Sequence, residues 1–158
     1  MIRVGLGWDT HRLESGRRFI LAGIEFPFEK GMAGHSDGDV LAHAAADALL
    51  GAAGLGDIGE FFPPGQSQWK DADSMELLDL VWAKVKKAGW RLVNLDCVVI
   101  AEKPPILPMR EQIREKLARR LDAEKQAVFV KGKTGEGAGP AGEGLTVEAE
   151  AVCLLEKS

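Results

Sequence analysis

Apolar and polar positions alternate from the first residues of the chain. Ile2, Val4 and Leu6 are set against Arg3 and Gly5, a period of two that predicts a half-buried strand with its apolar side facing inward. Residues 17–28, RRFILAGIEFPF, read as a second strand with a break at Gly23, and residues 31–34 as the turn that follows. From 39 to 53 the period becomes helical and alanine dominates, the best helix former of all. Ser36 or Asp37 is placed to cap that helix, because a short polar side chain there accepts from an orphan amide of the first turn. Asp39, His43 and Asp47, four residues apart, fall on one polar stripe, with Leu41, Ala45 and Ala48 opposite. A second helix is predicted over 74–87, with Met75, Leu78, Val81, Trp82 and Val85 on its inner side and Asp73 or Ser74 at its cap.

Residues 91–101 form a strand ending in a continuous apolar run, which places it centrally in a sheet. Pro104, Pro105 and Pro108 force a loop before a third amphipathic helix over 109–122. Strands over 127–131 and 145–156 close the chain. In the last of them Thr146, Glu148 and Glu150 alternate with Val147, Ala149 and Ala151. The pattern predicts an α+β, two-layer sandwich, a mixed β-sheet with helices packed on one face, as a single domain over 1–158.

Composition narrows the function. With 20 basic and 24 acidic residues the formal net charge is −4, which argues against a nucleic-acid partner. No apolar run reaches the ~20 residues of a membrane span and no charged-then-apolar leader precedes the first motif, so no membrane association and a cytoplasmic location are expected. Cys97 and Cys153 are far apart and lie in strand-like runs, as core thiols of a reducing compartment do.

The candidate chemistry begins at Asp9 and His11. One residue apart in extended chain, they point to the same face, as two ligands of one ion must. With His43 they make a His/His/carboxylate set, which suits a zinc ion that keeps its fourth position open for water or substrate. The Ala-rich remainder of the helix supports this, since a merely solvated face carries Lys, Glu and Arg. Gly5 and Gly7 do not make a dinucleotide fingerprint, because Thr10 stands where the third glycine belongs. Nor does GKT make a phosphate-binding P-loop, since the first glycine of that motif would fall on Ala127. The glycine-rich loop carrying Lys133, Thr134 and Glu136 still suits phosphate through its free amides. Residues 54–59, GLGDIG, read either as a helix stop or as a place where the backbone approaches a ligand beside Asp57.

Taken in order, GLGWDTH, HSDGDVLAHAAADALLGAAGLGDIGEFFP and TGEGAG resemble the 2-C-methyl-D-erythritol 2,4-cyclodiphosphate synthase family over essentially the whole chain. The resemblance implies a homotrimer with an active site at each subunit interface. It also implies conversion of a cytidine diphosphate substrate, 4-diphosphocytidyl-methylerythritol 2-phosphate, into the cyclic diphosphate and CMP in non-mevalonate isoprenoid biosynthesis. By the same resemblance Asp9, His11 and His43 are ligands of one Zn2+ per subunit, and Glu136 holds a second divalent cation, Mg2+ or Mn2+. His35 and Thr134 match transition-state positions. Ser36, Asp57, Ile58, Gly59 and Phe62 match substrate contacts, as do Asp9, His11, Lys133 and Glu136. Residues 101–107, with Ala101, Pro104, Ile106 and Leu107, match the cytosine loop. Asp47, one turn beyond His43, is expected to orient its imidazole. The same ligands would also serve a zinc phosphoesterase, which would release a linear phosphate. Departures from the family pattern fall at Lys133, Pro64, Pro140 and Glu143. Relatives commonly carry Thr at the first of these, an acid at the second, Phe at the third and, at the last, an Arg associated with prenyl diphosphates on the trimer axis. No binding of such ligands there is expected of this chain.

Overall fold

The computed structural model of the protein describes residues 1–157. Its main sheet is built from β1 (Ile2–Ser15), β4 (Lys30–Met32), β5 (Arg91–Ile100), β6 (Val128–Lys133) and β7 (Thr146–Glu156). The strand order is β4-β1-β7-β5-β6, with β5 and β6 parallel and the other neighbours antiparallel, a mixed sheet as the pattern predicts. The strand expected to be central, β5, is interior, but β7 holds the middle. Between β1 and β4, β2 (Phe19–Leu21) and β3 (Ile24–Phe26) form a separate hairpin. The break expected at Gly23 within 17–28 is a full reversal that makes two short strands, folded back where Ala22 and Gly23 adopt positive φ. The helices are α1 (Val40–Ala53), α2 (Ile58–Phe61), α3 (Ser74–Lys87), α4 (Arg110–Arg120) and α5 (Gly139–Gly142).

The helical layer covers one face of the sheet. Val147, Ala149, Ala151, Cys153 and Leu155 of β7, with Leu95, Cys97 and Val99 of β5, are buried beneath it. Burial pushes both thiols up, Cys153 to about 11, so neither is a reactive nucleophile. The first strand reverses the expected sidedness. Gly5 and Gly7 face the helices, while Ile2, Val4, Leu6 and Trp8 lie on the open face at 53% exposure or more. The reason is close packing. A Cβ on Gly7 would overlap the carbonyl oxygen of Ala44 and lie 2.7 Å from the Ala48 nitrogen, and one on Gly5 would lie 2.8 Å from the Ala52 Cβ. Glycine opposite the Ala44, Ala48, Ala52 row lets the α1 backbone rest directly on β1.

That approach explains why α1 is so rich in alanine. It is buried almost all round, and His43, Asp47 and Gly51 are the positions that reach the surface. Asp39 is not part of the stripe. It is the N-cap, in place of Ser36 or Asp37, and its fully buried carboxylate accepts from the amides of Ala22, Gly23 and Ala42 at 2.8–3.0 Å. It thereby ties the β2–β3 turn to the start of α1.

Candidate active site

The pairing of β1 with β7 holds Asp9 and His11 in extended chain, and the seat of α1 on Gly7 brings His43 over them. Asp9 Oδ2 lies 2.8 Å from His11 Nε2 and 2.9 Å from His43 Nδ1, and the two nitrogens are 3.3 Å apart. A tetrahedral ion with bonds of ~2.0–2.1 Å separates its ligand atoms by roughly 3.3 Å, so the three atoms are spaced as one face of such a site. The remaining ring nitrogens are satisfied elsewhere. His11 Nδ1 donates to the Ala33 carbonyl at 2.6 Å, and His43 Nε2 faces Ser74 Oγ at 2.8 Å and Ser36 Oγ at 3.3 Å. The inward nitrogens therefore carry lone pairs when neutral, and with Asp9 they present three converging acceptors to a cation. Among the described residues this is the one cluster of that kind. Without a cation Asp9 and His11 shift each other in opposite directions. Burial pushes Asp9 up, yet its hydrogen bonds and charge contacts with His11 and His43 outweigh that and bring it down to about 2. Burial lowers His11, and the Asp9 carboxylate more than restores it, leaving it above its ordinary value.

Around the cluster lies a cleft of about 250 Å³, whose wall includes His35, Ser36, Ile58, Gly59, Phe62 and Pro64. His35 is exposed and its Nε2 donates to the Gln66 carbonyl at 3.2 Å. Asp47 makes no hydrogen bond to His43. Its Oδ1 accepts from the Ile58 amide at 2.8 Å and draws the glycine-rich segment onto α1, so Ser74, thirty-one residues on from His43, is the side chain that meets the imidazole. Asp57 caps α2 by accepting from the Glu60 amide, and is absent from the cleft wall.

The other residues expected in the site gather elsewhere. Ala101, Ile106, Leu107, Lys133 and Thr134 line a second cleft of about 290 Å³, together with Arg110. The Ala101 amide donates to the Lys133 carbonyl at 2.9 Å. Gly132 leaves room for Ile106, whose Cβ would stand 2.9 Å from a Cβ placed there. Pro104 is buried beside this wall, and Glu136 is exposed on the loop beyond it, its amide donating to Thr134 Oγ1 at 3.3 Å. Glu143 is exposed at the end of α5. In register, Thr10, Glu148, Ile100 and Lys133 lie abreast on β1, β7, β5 and β6. Three strand spacings put the second cleft roughly 14 Å from the Asp9, His11, His43 cluster of the same chain.

The model of the YgbB family matches residues 2–156. The chain belongs to the YgbB family. A member from Treponema denticola named 2-C-methyl-D-erythritol 2,4-cyclodiphosphate synthase is 55% identical over 154 residues, 98% of this chain and 96% of that protein. The bifunctional IspDF of Campylobacter jejuni matches with a TM-score of 0.96 at 37% identity, over 100% of this chain and 43% of its own. A CDP complex of IspF from Plasmodium falciparum matches with a TM-score of 0.88 at 31% identity, over 99% of this chain and 97% of its own. For this YgbB chain the agreement extends over both clefts.

Proposed function

We propose that the chain converts 4-diphosphocytidyl-2-C-methyl-D-erythritol 2-phosphate into 2-C-methyl-D-erythritol 2,4-cyclodiphosphate with release of CMP, a lyase step of non-mevalonate isoprenoid biosynthesis. It is the reaction for which its relatives are named. The observation that carries the reading is the convergence of Asp9, His11 and His43 in the wall of a cleft. A zinc ion held there, and a magnesium or manganese ion held by Glu136 together with substrate phosphates, would neutralise two mutually repelling anions.

The chain's own groups do the rest. The 2-phosphate oxygen attacks the β-phosphorus in line, the bond from that phosphorus to the α-phosphate oxygen breaks, and CMP leaves. No covalent intermediate with the enzyme is needed, because positioning supplies most of the acceleration. His35, in its protonated form, and the Thr134 hydroxyl would donate to the α-phosphate as charge builds on it, each worth about 3 kcal/mol. Ser36, Asp57, Ile58, Gly59 and Phe62 hold the methylerythritol and ribose side. Residues 101–107 and Lys133 hold the cytidine.

Two half-sites on one chain imply that each complete site forms between subunits of a homotrimer. In support, His35 and Thr134, both assigned to the α-phosphate, line different clefts of the same chain. The open sheet face also offers Ile2, Val4, Leu6, Trp8 and Val152 for a neighbouring copy to cover. A cytoplasmic setting agrees with two free, buried thiols. Metal-depleted and zinc-reloaded protein, assayed together for CMP and for the phosphorus product, tests the reading. Cyclic diphosphate with CMP, formed only after reloading, is expected. A linear phosphate product, or full turnover by metal-free protein, would overturn it.

A further inference from the structure

The segment over 36–39 and the start of α3 share a hydrogen-bond network that ends on a metal-cluster histidine. Asp37 Oδ2 accepts from the Ser74 amide at 3.0 Å, Asp37 Oδ1 accepts from the Asp39 amide at 3.0 Å, and Oδ1 also takes the Ser74 hydroxyl. Ser74 is buried at 1% exposure, and its Oγ lies 2.8 Å from His43 Nε2. Asp73 caps α3 by accepting from the Met75 amide at 2.8 Å, and the Ser74 hydroxyl takes no part in that cap.

We propose that Asp37 and Ser74 are positioning residues that fix the tautomer of His43, holding its Nε2 as the donor so that its Nδ1 lone pair points at the cation. The inference rests on reading Asp9, His11 and His43 as a metal site. An ionised carboxylate only accepts, so the single Ser74 proton goes to Asp37. Ser74 Oγ is then left as the acceptor nearest His43 Nε2, at 2.8 Å against 3.3 Å for the Ser36 hydroxyl, which favours the hydrogen of His43 on Nε2. In the neutral ring the inward nitrogen, 2.9 Å from Asp9 and 3.3 Å from His11, is then the one left for a cation, in place of its hydrogen bond to Asp9. His11 reaches the same state with a main-chain partner, the Ala33 carbonyl, whereas the partners of His43 Nε2 are side chains that substitution can remove, Ser74 backed by Asp37 at 2.8 Å and Ser36 at 3.3 Å. Buried partners of this kind are worth about 10- to 100-fold in metal affinity.

The test is the zinc dissociation constant of the full chain, measured by chelator competition for the wild type, His43→Ala, Ser74→Ala, Ser74→Thr and Asp37→Asn, beside the melting temperature of each metal-free protein. Ser74→Ala is expected to bind zinc about 10- to 100-fold more weakly than wild type, with Ser74→Thr close to wild type because it keeps the hydroxyl. Asp37→Asn is expected to weaken binding at least 10-fold, because its amide nitrogen must face either the Ser74 hydroxyl or the Ser74 amide. It also stands in if Ser74→Ala does not fold. Zinc affinity that follows melting temperature across the set, or wild-type affinity in Ser74→Ala or Asp37→Asn, would overturn the proposal. Weak zinc binding by wild type and His43→Ala alike would instead remove the metal site on which it rests.

Discussion

Replacing Gly7 by alanine adds one methyl group at the place where fold and site meet. The new Cβ would overlap the Ala44 carbonyl oxygen and lie 2.7 Å from the Ala48 nitrogen, both main-chain atoms of α1 that cannot rotate aside. Ordinary carbon contacts lie at ~3.5–4.0 Å, so the helix must retreat by on the order of 1 Å. Overpacking costs about 1–3 kcal/mol, and a rigid obstacle puts this case at the upper end. The same retreat carries His43 away from Asp9, stretching a separation of 2.9 Å beyond what a tetrahedral ion bridges. Misplacement by ~1 Å costs on the order of 100-fold in rate. Urea denaturation of the metal-free protein, zinc competition and CMP release read the three effects. Gly51→Ala is the control. It lies in the same helix with nothing within 4 Å of the added Cβ, and alanine there is expected to stabilise by about 1 kcal/mol. Gly7→Ala with wild-type stability and zinc affinity would refute the account of how β1 and α1 build the site.

Three further outcomes are expected. In metal-free protein Asp9, lowered from 3.8 to about 2, contributes stability that is present above pH 3.8 and lost as pH falls toward 2. His11, raised from 6.5, contributes stability that is present below pH 6.5 and lost as pH rises through its elevated value. The wild-type melting temperature should therefore peak between these limits, and in Asp9→Asn the peak should flatten; an identical pH profile in the two proteins would contradict the coupling. Arg17 donates to the carbonyls of Met32, Gly34 and Ser36, bracing the segment that carries His35 and Ser36. Arg17→Ala should lower kcat about 10-fold or more while zinc stays bound, since hydrogen bonds from a charged group are worth ~1.5–3 kcal/mol each, and unchanged kcat would count against that role. Co-expressed His43→Ala and Thr134→Ala chains should regain about one quarter of wild-type CMP release, the random share of interfaces that pair two intact halves, and no recovery would place the whole site in one chain.

Much of this was legible in the residues. Helix 74–87 could be read to its ends because its apolar period, acidic cap and terminal lysines agree, and the Asp9, His11, His43 set followed from spacing and donor chemistry. Other features were hidden for physical reasons. A period of two in Ile2, Val4 and Leu6 reveals two faces but not which one meets the helices, and only the distance between Gly7 and Ala44 decides it. Asp39 looks like one more polar position of a helix. Its role as a buried cap depends on a turn at Ala22 and Gly23 that sequence spacing does not place beside it. Asp47 was the nearer candidate to orient His43 by helical spacing, yet its carboxylate is taken by the Ile58 amide, and Ser74 arrives from another helix.

Zinc-edge X-ray absorption of the zinc-loaded protein tests the central claim most directly. Two imidazole nitrogens and oxygen ligands at ~2.0–2.2 Å are predicted, with one imidazole lost in His43→Ala. Sulfur at ~2.3 Å, or an unchanged spectrum in that variant, would contradict a site built from Asp9, His11 and His43.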